Sequence, residues 1–533
     1  MRNQNKIIIL ILIVLSIAAL AVFSVPNSKA SENLAMVTMF EPDESAMIPI
    51  VKRMVSPQPN WVHRIYRIIA YGFYHYGFPL FAPTALVYKI LTLFGQGDNM
   101  PLVMLCMRQV ISVFPMLLSL WVLVYLQDQF KSWRSIVLFI FLLSIPAVIQ
   151  NGFWWHPDGL VMLLSSLVLL ALWKDDLRFG KYYYFAAALC GVLTALKVVG
   201  LFFFLTVAMI LIWGLAEKKL TWKQFFRHAF LFIAVMAIAI LVSSPHLLIP
   251  NHRVLAFNTL KREIFETSKG YGIYYAKGLQ AAIPTLKEFY GNPVFIIFAL
   301  AVSVGSLFDK ETRFLRALIL TWFIPLTVHL LFFSHFKYQY WLPVAVPLFS
   351  NLAILLPSKI GVVQKPVTFV SAIKWAALLV VVLQFGLFIP KDIALFTSSI
   401  HRKEENPAIR FYDQAVEELS PVTQDVKVYY DYRLYMPATP GWSAETSFDL
   451  LTYDYISSHD FDVLLLSQQR ILDYIQPEAV GIDPETYALA KVFYQDANLG
   501  KIENYKMLLR NDTALIFIKE EICLEYYESA RCH

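Results

Sequence analysis

Three carboxylates, Glu41, Asp43 and Glu44, fall within four positions just beyond an apolar run at 7–23. A helix in lipid has no need of them. A carboxylate within hydrogen-bond reach of an acceptor hydroxyl can take its proton, so Asp43 or Glu44 is a candidate general base, with Asp43 preferred. The neighbouring acid could hold a divalent metal or orient the acceptor, and Glu41 would orient or be solvated. No spacing names a cofactor. The same residues would also serve as a plain helix start, with Asp43 or Ser45 as cap and acids in the first turn.

Four further places carry groups suited to chemistry. In Trp154-Trp155-His156-Pro157-Asp158-Gly159, Asp158 opens an apolar helix. A carboxylate at membrane depth costs about 2.5–3.5 kcal/mol on insertion scales, so it needs a partner or a role. His156 and Asp158 could face the acidic cluster across a cavity. They could equally cap the helix at the interface, with Trp154 and Trp155 as belt anchors. Lys197, between two helix ends, could neutralise a phosphate or snorkel to the headgroups. The string 334–343 presents Lys337, Tyr338 and Tyr340, either to a lipid phosphate or sugar or as an aromatic belt. Finally, 249–291 holds His252, Arg253, Lys261, Arg262 and Lys269 before an aromatic stretch at 271–275.

The elements that must position these groups are apolar. The 533 residues are 58% hydrophobic and 16% charged, with a mean hydropathy of +0.55. Soluble domains carry roughly 25% charge, so the composition indicates an integral membrane protein. The net charge of +6 is too small for a nucleic-acid footprint and reads as positive-inside loops. Candidate spans lie at 7–24, 102–126, 134–151, 157–173, 182–197, 199–216, 227–248, 292–308, 315–333, 339–357 and 367–390. The fold class is thus a polytopic α-helical membrane protein of about 11 spans. The first run, with Arg2 and Lys6 before it, could also pass for a signal peptide.

With the N-terminus in the cytoplasm, the short loops at 127–134, 174–181, 217–227, 309–316 and 358–365 each carry at least two Lys or Arg on that side. The acidic cluster, Asp158, Lys197 and the 334–343 string then all fall on the outer face. So does the loop 25–101, where Arg64, Arg67, His75 and Lys89 punctuate an aromatic stretch read as one or two interfacial helices. The cations at 249–291 also fall outside, against the topological bias, and become candidates for an anion. From about 391 to 533 hydropathy falls. An amphipathic helix at 411–419 and strands at 426–430, 461–466 and 513–519 read as an outer α/β domain. Of the four cysteines, Cys523 and Cys532 could pair there.

Over residues 1–390 the chain resembles the GT-C glycosyltransferases, in particular the polyprenyl-phosphate-sugar-dependent group of protein O-mannosyltransferases and aminoarabinose transferases. Asp43-Glu44 matches the family's acidic pair after the first helix, and Asp158 its second acidic helix start. Gly191 to Lys197 matches a Gly-x-x-x-x-x-Lys stretch, and Tyr340-Trp-Leu-Pro343 with Pro347 a Tyr-x-Leu-Pro helix start. Gln339 departs from the Arg that many relatives have before that Tyr, which leaves Lys337 as the substitute. The resemblance implies an inverting transfer from a polyprenyl-phosphate-linked sugar to a glycan, lipid or protein acceptor. Asp43 and Glu44 would do the base chemistry. His156, Asp158, Lys197, Arg253, Lys337, Tyr338, Tyr340 and Arg64 would bind substrate. The setting would be a bacterial or archaeal plasma membrane. A lipid-linked sugar flippase, or an envelope assembly protein, is the alternative. Transporters usually show internal repeats and midplane charges, and neither is evident.

Overall fold

The computed structural model describes residues 2–266, 276–356, 369–448, 450–475, 484–528 and 532. The expected outer-loop groups Lys269 and 271–275, and the expected basic loop at 358–365, lie outside the described residues. The chain forms two compact units. The first comprises Met1–Ser28, Pro49–Leu260 and Lys277–Ser399, and the second Lys29–Ile48, Lys261–Ala276 and Ile400–His533. The acidic cluster at 41–44 therefore belongs to the same unit as the C-terminal residues.

The first unit is helical. Among the described residues, six helices are long and apolar enough to cross a membrane: Gln4–Asn27, Met100–Asp128, Val198–Ala216, Trp222–Val242, Arg313–Phe333 and Ile373–Glu418. Leu279–Phe289 with Pro293–Phe308, bent by 88°, would make a seventh. The expected 11 is not reached by this measure, although each expected window contains helix. One reason is local chemistry. Pro146 lacks an N–H and splits the 134–151 window into Arg134–Leu143 and Pro146–Asn151. Another is charge, since Asp158–Asp175 carries Asp158, Lys174 and Asp175 at its ends.

The 25–101 loop holds more helix than expected. It contains Leu34–Phe40, Pro42–Val55, Trp61–Ile69 and Phe78–Leu93. Trp61–Ile69 buries none of its residues and is capped by Asn60, which accepts from the His63 amide. An unanticipated cation sits in the helical core. Arg108 is fully buried and donates to the Asn27 carbonyl at 3.0 Å. Asn27 in turn donates to the Gly152 carbonyl at 2.9 Å. This chain ties the end of the first helix to the turn that leads into Asp158.

The second unit contains a five-stranded sheet of order β2-β1-β3-β5-β4. The strands are β1 Val426–Tyr430, β2 Trp442–Glu445, β3 Val463–Ser467, β4 Tyr505–Arg510 and β5 Ala514–Lys519. β1 runs parallel to β2 and β3, and β5 antiparallel to β3 and β4. Period-two alternation builds two cores. Val463, Leu465, Ile516 and Ile518 face one layer with Phe411 and Ala415. Leu464, Leu466, Leu515 and Phe517 face the other with Ile471 and Phe493. The three expected strands are present within a residue or two. β2 and β4 were not anticipated, because both are edge strands with weak apolar character. Cys523 and Cys532 form a disulfide.

Arg470 locks the loops after the parallel strands. It is fully buried and lies 3.6 Å from Asp431. It donates to the Ser447 carbonyl at 3.2 Å, the Phe448 carbonyl at 3.3 Å and the Tyr474 hydroxyl at 3.3 Å. Removing one partner of a buried pair strands the other. Arg470→Met should therefore cost the domain roughly 3–5 kcal/mol. Hydrogen exchange of β1 and β3 measures this, and the double variant with Asp431→Leu should recover most of the protection.

Candidate active site

Asp158 lies in the first turn of the helix Asp158–Asp175 and is 1% exposed. Its two oxygens have separate partners. The Lys197 ammonium donates to Oδ1 at 2.7 Å, and His156 Nδ1 bonds to Oδ2. On the far side of the imidazole, Nε2 meets the Tyr76 hydroxyl at 2.8 Å. The ring itself stacks on Trp154, with centroids 4.1 Å apart and planes parallel to 1°. The helix start also favours an anion at this position. The carboxylate is thus buried with both oxygens engaged, the condition under which a buried charge is tolerated.

Close backbone approach makes this corner. A Cβ on Gly159 would lie 2.7 Å from the Ser112 carbonyl, so only glycine lets this helix start meet the π-helical turn Arg108–Val113. Ser112 Oγ donates to the Trp154 carbonyl at 2.6 Å and accepts from the His156 amide at 3.4 Å. That hydroxyl ties both ends of the Trp-Trp-His stretch to the π-helical turn.

Lys197 follows the helix Lys181–Leu196. Its backbone is extended (φ −158°, ψ 133°), which breaks the helix and turns the side chain towards Asp158. The same ammonium lies 4.2 Å from the centre of the Tyr340 ring, and the Lys337 ammonium 5.8 Å from it. Tyr340 stands in the first turn of Tyr338–Ser350. That turn is anchored where the Tyr290 hydroxyl donates to the Tyr338 carbonyl at 2.5 Å and Phe289 stacks on Tyr338 at 4.4 Å. Two ammoniums thus lie near one aromatic ring, and the nearer of them is paired to the Asp158 carboxylate. The aromatic ring attracts both cations.

A strap at 71–77 runs beside this cluster. The Gly77 amide donates to the Leu196 carbonyl at 3.2 Å. A Cβ there would lie 1.7 Å from the Ala195 carbonyl oxygen, so glycine is required for the strap to reach the residue before Lys197. Arg53 donates to the Tyr71 carbonyl, and the Tyr71 hydroxyl to the Tyr76 carbonyl at 3.0 Å. Tyr74 stacks on His246 at 4.5 Å, and its hydroxyl lies 2.6 Å from His252 Nδ1. His252 Nε2 is 3.2 Å from the Tyr66 hydroxyl. The strap therefore joins a Tyr/His cluster at one end to the His156–Asp158–Lys197 cluster at the other.

Of the residues expected from sequence, His156, Asp158, Lys197, Lys337, Tyr338 and Tyr340 come together in the first unit. Arg64 and Arg253 are exposed, on Trp61–Ile69 and Pro250–Glu266. Asp43 and Glu44 belong to the second unit, in the first turn of Pro42–Val55; Asp43 is exposed and Glu44 buried. Tyr76, Gly77 and Ser112 were not anticipated. The signal for the first two was the run Tyr71-Gly-Phe-Tyr-His-Tyr-Gly77, six polar-tipped or small residues around one Phe in a non-helical stretch. Among the described residues, no group of three His, Cys, Asp or Glu side chains converges as a metal-ligand set.

The Tyr/His cluster lies beyond the span Trp222–Val242 and carries a pH response. Burial, aided by the charge of neighbouring His252, pushes the His246 imidazole down to about 4. The folded strap thus holds it neutral. The stabilisation is complete above the ordinary value of about 6.5 and is lost as pH falls from there through about 4. Exchange protection of 71–76 should be flat above pH 7 and decline below 6.5. In His246→Phe, which keeps the stack without the titration, that decline should be smaller.

No protein-family model matches the chain, and no curated protein matches it in sequence. Solved structures do match. ArnT from Cupriavidus metallidurans, bound to undecaprenyl phosphate, aligns at 12% identity with a TM-score of 0.52 over 95% of this chain and 97% of that one. The archaeal oligosaccharyltransferase AglB from Archaeoglobus fulgidus, in complex with an inhibitory peptide and a dolichol-phosphate, aligns at 11% identity with a TM-score of 0.54. That alignment covers 93% of this chain and 79% of that one. At such identities the likeness is one of fold: the chain shares the fold of ArnT and of AglB, in line with the resemblance read from the sequence.

Proposed function

We propose that the chain is an inverting glycosyltransferase. It moves a sugar from a polyprenyl-phosphate donor to an acceptor on the outer side of the membrane. The observation that carries this reading is the pair of ammoniums, Lys197 and Lys337, around Tyr340, with Lys197 held by Asp158. It stands in a fold shared with ArnT solved bound to undecaprenyl phosphate and AglB solved in complex with a dolichol-phosphate. The disulfide Cys523–Cys532 suits a domain outside the reducing cytoplasm.

In this reading the acceptor hydroxyl or amine loses its proton to Asp43, with Glu44 as the second candidate. Its heteroatom bonds to the anomeric carbon as the bond from that carbon to the phosphate oxygen breaks. The bonding pair leaves with the phosphate, whose charge rises from that of a diester to that of a monoester. Lys197 and Lys337 face this added charge in a site where preorganised donors are most effective. Asp158 and His156 keep Lys197 in place. Arg64 and Arg253 are exposed cations available to approaching anionic groups.

Two measurements test the reading. Undecaprenyl phosphate should bind the purified wild type and bind Lys197→Ala and Lys337→Ala each about 10–100-fold more weakly, since a charged hydrogen bond contributes ~1.5–3 kcal/mol. In membranes supplied with labelled polyprenyl-phosphate sugars, Lys197→Ala should lower the transfer rate by about 10²-fold or more. Asp43→Asn should lower it by about 10²–10⁴-fold. Full transfer by both Asp43→Asn and Glu44→Gln would remove the proposed base. Donor translocation without transfer would favour the flippase.

A further inference from the structure

The helix Phe369–Glu405 ends in Arg402 and Lys403, which the motif reading did not use. Arg402 is 14% exposed and grips the segment before the acidic pair at three points. Nη1 donates to Glu41 Oε1 at 3.3 Å, and Nη2 to the Lys29 carbonyl at 3.0 Å. The guanidinium carbon lies 4.9 Å from the centre of the Phe40 ring. Lys403 adds an ion pair to Glu32 at 2.9 Å. Asn33, which caps the helix Leu34–Phe40, donates to the Tyr435 hydroxyl at 3.0 Å.

Glu41 also seats the acidic pair. Its carbonyl accepts from the Glu44 amide at 3.0 Å and the Ser45 amide at 3.2 Å. It is therefore the acceptor on which the first turn carrying Asp43 and Glu44 is built. We infer that Arg402 is a positioning residue for the proposed base. By holding the side chain of Glu41, the ring of Phe40 and the Lys29 carbonyl together, it fixes the helix start and with it the direction of the Asp43 carboxylate. The planar fork of an arginine, able to bond and stack at once, suits this task better than lysine. The inference rests on the base assignment made under the proposed function.

Two readouts on the full-length protein test it. The first needs no substrate. Hydrogen exchange of the amides of residues 40, 41 and 43–45 should rise about 10-fold in Arg402→Ala and in Glu41→Gln, and less in Arg402→Lys. The second uses labelled polyprenyl-phosphate sugars. Arg402→Ala should lower kcat about 10–100-fold with donor KM within about 2-fold, because a misplaced base costs rate rather than binding. Arg402→Lys should recover part of the loss. Arg402→Ala combined with Glu41→Gln should be no worse than Arg402→Ala alone, since Arg402→Ala already breaks the contact that Glu41→Gln removes. Unchanged exchange in Arg402→Ala, or full kcat in it, would overturn the positioning role. Failure of the base assignment shows separately, as full activity of Asp43→Asn and Glu44→Gln.

Discussion

An ammonium and a carboxylate set between apolar helix ends must stay paired, and Lys197 and Asp158 do so at 2.7 Å. The pair constrains its surroundings. It requires the helix Lys181–Leu196 to stop where it does, so that Lys197 can turn. It requires His156 on the second carboxylate oxygen, and hence the Tyr76 hydroxyl beyond it. It needs Gly159 and Gly77, where the chain passes too close to a neighbouring backbone for any side chain. A buried pair of this kind adds little net stability, because desolvation offsets most of the attraction. Its value lies in fixing where the ammonium points.

A second polar device acts at the start of the helix that carries Asp43 and Glu44. There a half-buried arginine–glutamate pair secures a loop by its side chains while the backbone of the same glutamate begins the next helix. The two devices share a logic. In each, one charged side chain is spent on orienting a neighbouring group: Asp158 orients Lys197, and Arg402 orients the turn that bears the acids. The pairs differ in surroundings, with Asp158 almost fully enclosed and Glu41 partly open to solvent.

The apolar windows were legible because hydropathy alone marks them, and each contains helix. Their number was not, because a proline such as Pro146 or charges at the ends of Asp158–Asp175 change what counts as one span without changing mean hydropathy. β3 and β5 were legible as apolar runs, whereas β2 and β4 gain their strand character from neighbours distant in sequence. In the site, Asp158, Lys197 and Lys337 could be singled out because charges beside apolar runs are costly. Tyr76, Ser112 and Arg402 could not. Their roles come from hydrogen bonds to residues 80, 42 and 361 positions away. Glu41 was read as orienting or solvated, and it is held by Arg402.

The most direct test of the central claim is an experimental structure of the protein with undecaprenyl phosphate. The account predicts a phosphate oxygen about 3 Å from the Lys197 ammonium, with the Asp158 pairing retained and Lys337 on the same side of Tyr340. A phosphate held elsewhere, with Lys197 engaged only by Asp158, would contradict it.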